Sequence, residues 1–506
     1  MDLSQLAIRP LASGSLPGVF GSQPFESLIK SLIAASEEKI ARIDSQIRDL
    51  QCMRDREYGV VASLKLVLCP IRKLPDELLA MIMRLALEKN SSRTDAATVV
   101  LCALRLSQVC KHWRQLAHRT PHLWTTQLPI QYKKPDGYSA DYIAATKVYI
   151  ERSAPLPIEI HLDHRAEPPH GTKFPPTLVD ALFSAASRWK SLFVSGPTAI
   201  FDALAKLPPD SLKLLEEATT TLWDSVPVTS AFLCAPRLRK VKLDLYSGAS
   251  NPLPMPWAQL TALDVSMVSF SICLDILVQC TNVVRARLYA EPPQVEPTAS
   301  SSNAPVTLQF LEDLNVSIYG DRLGAYFGRL SLPKLRKLKI TFTDPMGSGD
   351  WSPANSAVFT QFQLRSPNIE DFSLTICDIH PPELREILTH APRLTDLHLE
   401  CCFESIDDDV LEHLEYAELD TVHLTPQLQR LHLAMIGDSF DEGRLLAMIK
   451  SRWWSAAALQ ALPVPPPVAR WERVYIYRGE TDVELSGSFK RAVRKLKTQG
   501  LEIEVS

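Results

Sequence analysis

Between residues 189 and 476 one short apolar pattern keeps returning: a bulky apolar side chain at i, i+3 and i+5. It runs through Trp189-Leu192-Val194, Leu238-Val241-Leu243, Leu260-Leu263-Val265, Val283-Ala286-Leu288 and Leu311-Leu314-Val316. It continues through Leu335-Leu338-Ile340, Ile369-Phe372-Leu374, Leu394-Leu397-Leu399, Leu428-Leu431-Leu433 and Trp471-Val474-Ile476, with a weaker copy starting at Leu212. Ten steps link the first copy to the last, about 28 residues each. The second and third positions of each triad are alternate residues, so on an extended chain they share a face. One such strand cannot bury that face by itself, but stacked copies can, along a continuous parallel sheet.

An L-x-x-L-x-L strand core returning every 20 to 29 residues or so is the pattern of a leucine-rich repeat. The expected fold class is therefore α/β: over residues 128–506, an irregular leucine-rich-repeat solenoid with a curved parallel sheet and helices on the convex side. Segments such as "LDILVQCTN", "PPELREILTHAP" and "GRLLAMIKSRWW" have helical apolar spacing and would cover that side. Only "FSLTIC" and "LHLECC" put a cysteine, Cys377 and Cys402, where such repeats place an Asn or Cys; steps also stretch to 34 and 43 residues, hence the irregularity. "PLPIEIHLDH" reads as the first strand of the array. The basic amphipathic helix of "SFKRAVRKLKTQGLEIEVS", with Phe489, Val493 and Leu496 on one face, reads as its closing element. "EPPQVEPTASSSNAP" and "PVPPPV" read as projecting loops.

Ahead of the array the text differs. Residues 1–24 are small, polar and punctuated by Pro and Gly, and are expected to be a disordered N-terminus. Residues 25–69 carry heptads, with a at Ile33, Ile40, Ile47, Arg54, Val61 and Leu68, and d at Ile29, Ser36, Ile43, Leu50, Glu57 and Leu64. Charges of both signs lie between them. This long helix either self-associates as a coiled coil or packs on its own chain. Pro70 ends it, because proline has no amide proton and pushes its predecessor out of the helical region. Pro75 then falls in the first turn of a new helix, with Asp76 and Glu77 near its positive end. A further helical pattern carries Leu101, Leu104, Leu106, Val109, Cys110, Trp113 and Leu116.

These residues carry a resemblance. Leu74-Pro75-Asp76-Glu77-Leu78-Leu79, then Ile82, then Val109-Cys110-Lys111-His112-Trp113-Arg114, then Pro121-His122-Leu123-Trp124, look like an F-box over residues 70–127. The order of coil, "CPIRKLP" entry, F-box and leucine-rich tail is similar to the expanded F-box family of mushroom-forming fungi. In that family the F-box docks the Skp adaptor of a Skp/cullin/F-box ubiquitin ligase. The resemblance implies that Leu74, Pro75, Leu78, Leu79 and Ile82, with Leu106, Val109, Cys110 and Trp113, make or support the adaptor contact. Met83 stands where many F-boxes have Phe, and the segment from Leu87 to Leu104 is long for an F-box. The flexible thioether fills a similar volume.

The remaining features narrow the function classes. Apolar residues at 46%, charged residues at 22% and a net charge of -4 give no general pull toward nucleic acid or an anionic membrane. No apolar run approaches the length of a membrane span, and the start lacks a signal-peptide pattern, so a cytoplasmic or nuclear protein is expected. Cys52, Cys69, Cys102, Cys110, Cys234, Cys273, Cys280, Cys377, Cys401 and Cys402 lack zinc or disulfide spacing. His161, His164 and His170 lack a fourth metal ligand, and Glu404, Asp407, Asp408 and Asp409 precede an apolar helical pattern as a cap would. No catalytic motif and no cofactor site appears. The expectation is a non-catalytic substrate-receptor subunit of a ubiquitin ligase, binding a Skp-type adaptor, through it a cullin, and an unknown target protein by its repeats. The alternative is a coiled-coil and leucine-rich-repeat scaffold with a degenerate F-box.

Overall fold

The computed structural model describes residues 23–505 except 92–95, 126–127, 132–139, 164–174, 197, 223–229, 246–252, 269, 291–305, 319–322, 344–348, 418–422, 438, 455–458, 460–465 and 480–484. Residues 1–22, the 291–305 loop, the first half of "PVPPPV", and His164 and His170 thus lie outside the described residues. Two compact units divide the chain, Met1–Met81 and Ile82–Ser506.

In the first unit α1 (Gln23–Leu68) is one uninterrupted helix. Its described side chains from Glu26 onward are all exposed, the a and d positions included. Gly59 does not break it, and a Cβ there would meet nothing within 4 Å. Cys69 leaves the helical region ahead of Pro70, and a 3₁₀ turn, Pro70–Lys73, follows. Leu74 is extended before Pro75, as the pyrrolidine ring demands. Then α2 (Asp76–Ser91) begins and runs on into the second unit. Pro75 sits one residue earlier than expected. It precedes the first turn and closes it by accepting from the Leu79 amide at 3.0 Å.

In the second unit the expected single helical pattern around Val109 is two helices, α3 (Ala96–Gln108) and α4 (Lys111–Arg119). Cys110 is extended between them, and its sulfur accepts from the Trp113 amide at 3.4 Å as an N-cap. Trp124 closes this region: its ring is buried, donates from Nε1 to the Ala117 carbonyl at 2.8 Å and meets Tyr149 edge-on. Tyr149 lies on α5 (Ala140–Arg152).

Among the described residues the rest is built on a parallel sheet of 14 strands in sequence order, with two small two-stranded sheets besides. Those of the large sheet are β1 (Leu128–Gln131), β2 (Ile158–Asp163), β3 (Trp189–Gly196), β4 (Glu217–Leu222), β5 (Lys240–Leu245), β6 (Ala262–Val268) and β7 (Arg285–Ala290). Next come β8 (Asp313–Ile318), β9 (Lys337–Phe342), β10 (Asp371–Thr375), β11 (Asp396–Glu400), β12 (Arg430–Ala434), β13 (Arg473–Tyr477) and β14 (Glu502–Val505). The triads stand in register: Leu192, Ala218, Val241, Leu263, Ala286, Leu314, Leu338, Phe372, Leu397, Leu431 and Val474 form one row across eleven strands. This is the α/β, leucine-rich-repeat-like architecture.

Three details differ from the sequence expectation. The array starts one strand before "IEIHLD", because β1 pairs β2. It ends one strand after the basic helix, because β14 pairs β13. The weak copy belongs at Leu215-Ala218-Thr220, three residues beyond Leu212, since Ala218 pairs with Leu192 and Val241. Thr220 is fully buried in the place of a leucine, which hides that copy from a search for apolar residues.

Helices return the chain between strands and bury their apolar sides on the sheet. On α10 (Pro353–Arg365), Phe359 packs against Phe362, Trp351 and the strand residue Phe372, with ring centroids 5.2 to 5.8 Å apart. On α13 (Glu442–Ser451) the buried residues are Leu445, Met448 and Ile449. In place of an asparagine ladder, Cys402 is buried with its sulfur 3.5 Å from the carbonyls of Leu374 and Glu400. Removing a buried aromatic from such a cluster leaves a cavity that neighbouring repeats cannot close. Phe359→Ala is expected to cost about 3–5 kcal/mol in chemical denaturation, whereas Lys339→Ala, on an exposed strand position, is expected to stay within about 0.5 kcal/mol.

Candidate functional site

Two surfaces collect residues whose chemistry points outward, and each lies on its own element. On α2, apolar residues fall into two stripes. Leu79, Met83 and Leu87, spaced i, i+4, i+8, are 1%, 1% and 2% exposed. Leu78, Met81, Ile82 and Leu85, spaced i, i+3, i+4, i+7, are 46%, 50%, 45% and 54% exposed. A helix that needs only a core needs one stripe. The second leaves four large apolar side chains half in water, where each forgoes roughly half of the about 1.5–3 kcal/mol that full burial gives.

The residues expected at the adaptor contact therefore separate. Leu78 and Ile82 lie on the open stripe and Leu79 on the buried one. Pro75 is exposed and Leu74 half-buried. In the second unit Val109 is 61% exposed at the end of α3, while Leu106, Cys110 and Trp113 are half-buried around the α3–α4 break. Met81 and Leu85 were missed. Their spacing from Leu78 already carried the signal, since i+3 and i+7 lie on the same helix face.

The other surface is the open face of the sheet. Along each strand the residues between the buried positions point away from the helices, and register stacks them into rows. One row reads Glu217, Lys240, Ala262, Arg285, Asp313, Lys337, Asp371, Asp396, Arg430, Arg473, Glu502. Neighbours of opposite sign pair: Lys240 with Glu217, Lys337 with Asp371 at 3.7 Å, Arg430 with Asp396, and Arg473 with Glu502 at 2.7 Å. A trough of about 600 Å³ follows this row past Arg285, Asp313, Lys337, Asp371 and Arg430.

The adjacent row changes character along the sheet. At one end His161 stacks on Phe193, rings 4.0 Å apart, and in the middle stand Lys242, Asp264, Arg287, Asn315 and Lys339. At the other end His398, His432 and Tyr475 stack at 5.1 and 4.4 Å. Burial, with His398 beside it, holds the His432 imidazole below its usual value. Among the described residues no ion pair engages Arg285, Arg287 or Lys339. Charged rims and flat stacked rings are the materials of a protein-binding face.

The nucleophile and metal candidates have structural duties. Burial pushes the Cys273, Cys280 and Cys402 thiols up to about 12, so they carry no thiolate near neutrality. Asp407 caps α12 (Asp408–Leu414), accepting from the Val410 amide at 2.8 Å, and Asp408 accepts from the Asp441 amide. His161 is occupied by its stack on Phe193. Among the described residues no cluster of three or more His, Cys, Asp or Glu could hold a metal ion, and no helix is long and apolar enough to cross a membrane.

Asp396 shows how the charged row responds to acid. Burial alone would raise its carboxyl, but hydrogen bonds from Arg430, one of them 2.6 Å, and from Thr395 outweigh this and hold it below the usual carboxylate range. A lowered folded-state value contributes stability that is present above the unfolded value of about 3.9 and is lost as pH falls through the folded one. The urea midpoint is expected to drop on acidification below about pH 4, and Arg430→Gln is expected to flatten that dependence.

Comparisons with known proteins bear on the first of these surfaces. Residues 71–128 match the F-box-like family model, a segment that contains the open stripe of α2 and the α3–α4 break. No curated protein matches the chain. Among solved structures, the one described as "Crystal structure of TLR13-ssRNA13 complex" is similar at 12% identity and a TM-score of 0.35, over 70% of this chain and 46% of that one. The chain thus spans less than half of that protein's length. The family match establishes an F-box-like segment at residues 71–128, and the architecture of the repeat sheet that follows rests on its own strand register.

Proposed function

We propose that this chain is a substrate-receptor subunit of a Skp/cullin/F-box ubiquitin ligase. The observation that carries the reading is the open apolar stripe of Leu78, Met81, Ile82 and Leu85, inside a segment that matches an F-box-like family. In this reading Leu78 and Ile82, with Pro75 and Val109, touch a Skp-type adaptor, and Leu74, Leu79, Leu106, Cys110 and Trp113 make or support that contact. The adaptor brings a cullin, and the open face of the sheet receives a target protein. Nothing in this scheme asks the chain for catalysis. It acts by proximity, raising the concentration of target lysines near a ubiquitin-charged enzyme carried elsewhere in the assembly.

The same proposal includes the division into an N-terminal segment 1–24, a helical 25–69, an F-box at 70–127 and a solenoid at 128–506. It also includes a cytoplasmic or nuclear location, a kinship with the expanded F-box family of mushroom-forming fungi, and self-association through α1. A second reading, a scaffold with an F-box that no longer reaches a ligase, draws support from the length of apolar helix that α1 leaves in water.

Co-elution of the purified chain with a Skp-type adaptor separates the two. The intact chain is expected to co-elute, and Leu78→Glu/Ile82→Glu is expected to abolish co-elution with an unchanged melting temperature, because both side chains already face solvent. Failure of the intact chain to bind would leave the scaffold.

A further inference from the structure

Fifteen large apolar residues of α1 are exposed, from Leu28 to Leu68. Their distribution around the helix says more than their number. With Ile33 and Ile40 at a, position g holds Leu32, Lys39, Gln46, Met53, Val60 and Val67, and position e holds Lys30, Glu37, Asp44, Gln51, Tyr58 and Lys65. One flank of the apolar seam is thus largely apolar and the other largely polar. In a parallel pair g faces e of the neighbour, which would set Leu32 against Glu37 and Val60 against Lys65. In an antiparallel pair g faces g and e faces e, so each flank meets its own kind.

The two charges in the seam, Arg54 at a and Glu57 at d, select the register. In a parallel pair each layer repeats one residue, which gives Arg54 against Arg54 and Glu57 against Glu57. In an antiparallel pair a meets d, and one alignment sets Arg54 of each copy against Glu57 of the other. That alignment also pairs Leu68 with Ile43, Leu64 with Ile47, and Val61 with Leu50 in the core. On the flanks it pairs Met53 with Val60 and Asp44 with Lys65. Moving the register by a heptad toward the N-terminus puts Arg54 against Leu50 and Glu57 against Ile47, burying both charges without partners. In the single helix Arg54 rests on its neighbour Asp55 at 2.9 Å, an exposed contact that is weak enough to exchange.

We propose that α1 pairs with α1 of a second copy of this chain in an antiparallel coil of about 40 Å, centred on two Arg54–Glu57 ion pairs. This rests on the self-association included in the proposed function, and adds its orientation and register.

The test is light scattering on the full-length chain and its charge variants, with far-ultraviolet circular dichroism to check that helix content is kept. The intact chain is expected to be a dimer at micromolar concentration. Arg54→Glu and Glu57→Arg are each expected to weaken dimerisation at least about tenfold, and Arg54→Glu/Glu57→Arg to restore it to within about threefold. As a second readout, a Leu50→Cys chain mixed with a Val61→Cys chain, both with Cys52→Ser, is expected to form the mixed disulfide in preference to either homodimer. A dimer whose affinity ignores the single charge changes, or which cross-links Leu50→Cys to itself, overturns the orientation alone. A monomeric intact chain overturns the self-association with it.

Discussion

A parallel strand with one apolar face has no stable existence by itself, and from Leu128 to Val505 this chain meets that constraint by repetition. Each strand obtains its hydrogen bonds and half its burial from the strands before and after it, so no single repeat is a domain. The row from Leu192 to Val474 is that dependence made visible: eleven residues of which none is more than 3% exposed. The helices contribute by closing the other side of each step. The aromatic cluster of Phe327, Phe359, Phe362 and Phe372 shows the volume needed where a step is long. Everything that faces outward on the sheet is positioned by this inner row.

The inner row was legible in the sequence because burial on a strand writes itself as period two. Ten of its strands were found from apolar spacing alone, and the parallel α/β class followed. What escaped did so for identifiable reasons. Thr220 occupies a leucine's place in β4 and satisfies the geometry without the hydrophobicity. The edge strands β1 and β14 have four residues each, too short to show a pattern. The α3–α4 break was hidden because Cys110 is an unusual N-cap and Val109 and Trp113 continue a helical spacing across it. On the candidate site, sequence named Leu78 and Ile82 but not which of the residues at that contact face water. Only three-dimensional burial separates Leu78 from Leu79 beside it, 46% and 1% exposed.

That separation gives α2 its meaning. Both of its stripes are apolar, so composition cannot say which one serves the fold and which a partner; Met83 on the buried stripe fills volume where shape is irregular. The open face of the sheet follows a different principle. Its charges largely neutralise one another, Lys337 with Asp371 and Arg430 with Asp396, and beside these pairs lie Arg285, Arg287, Lys339 and the flat stack of His398, His432 and Tyr475.

The two edge strands of the sheet carry a consequence of their own. An open parallel sheet ends in unpaired amides and carbonyls, which any extended chain can extend into an aggregate. Here the first boundary strand contains Pro129, which has no amide proton to offer, and the last alternates Glu502 and Glu504 along its length. A proline at one border and carboxylates at the other both disfavour the addition of a further strand.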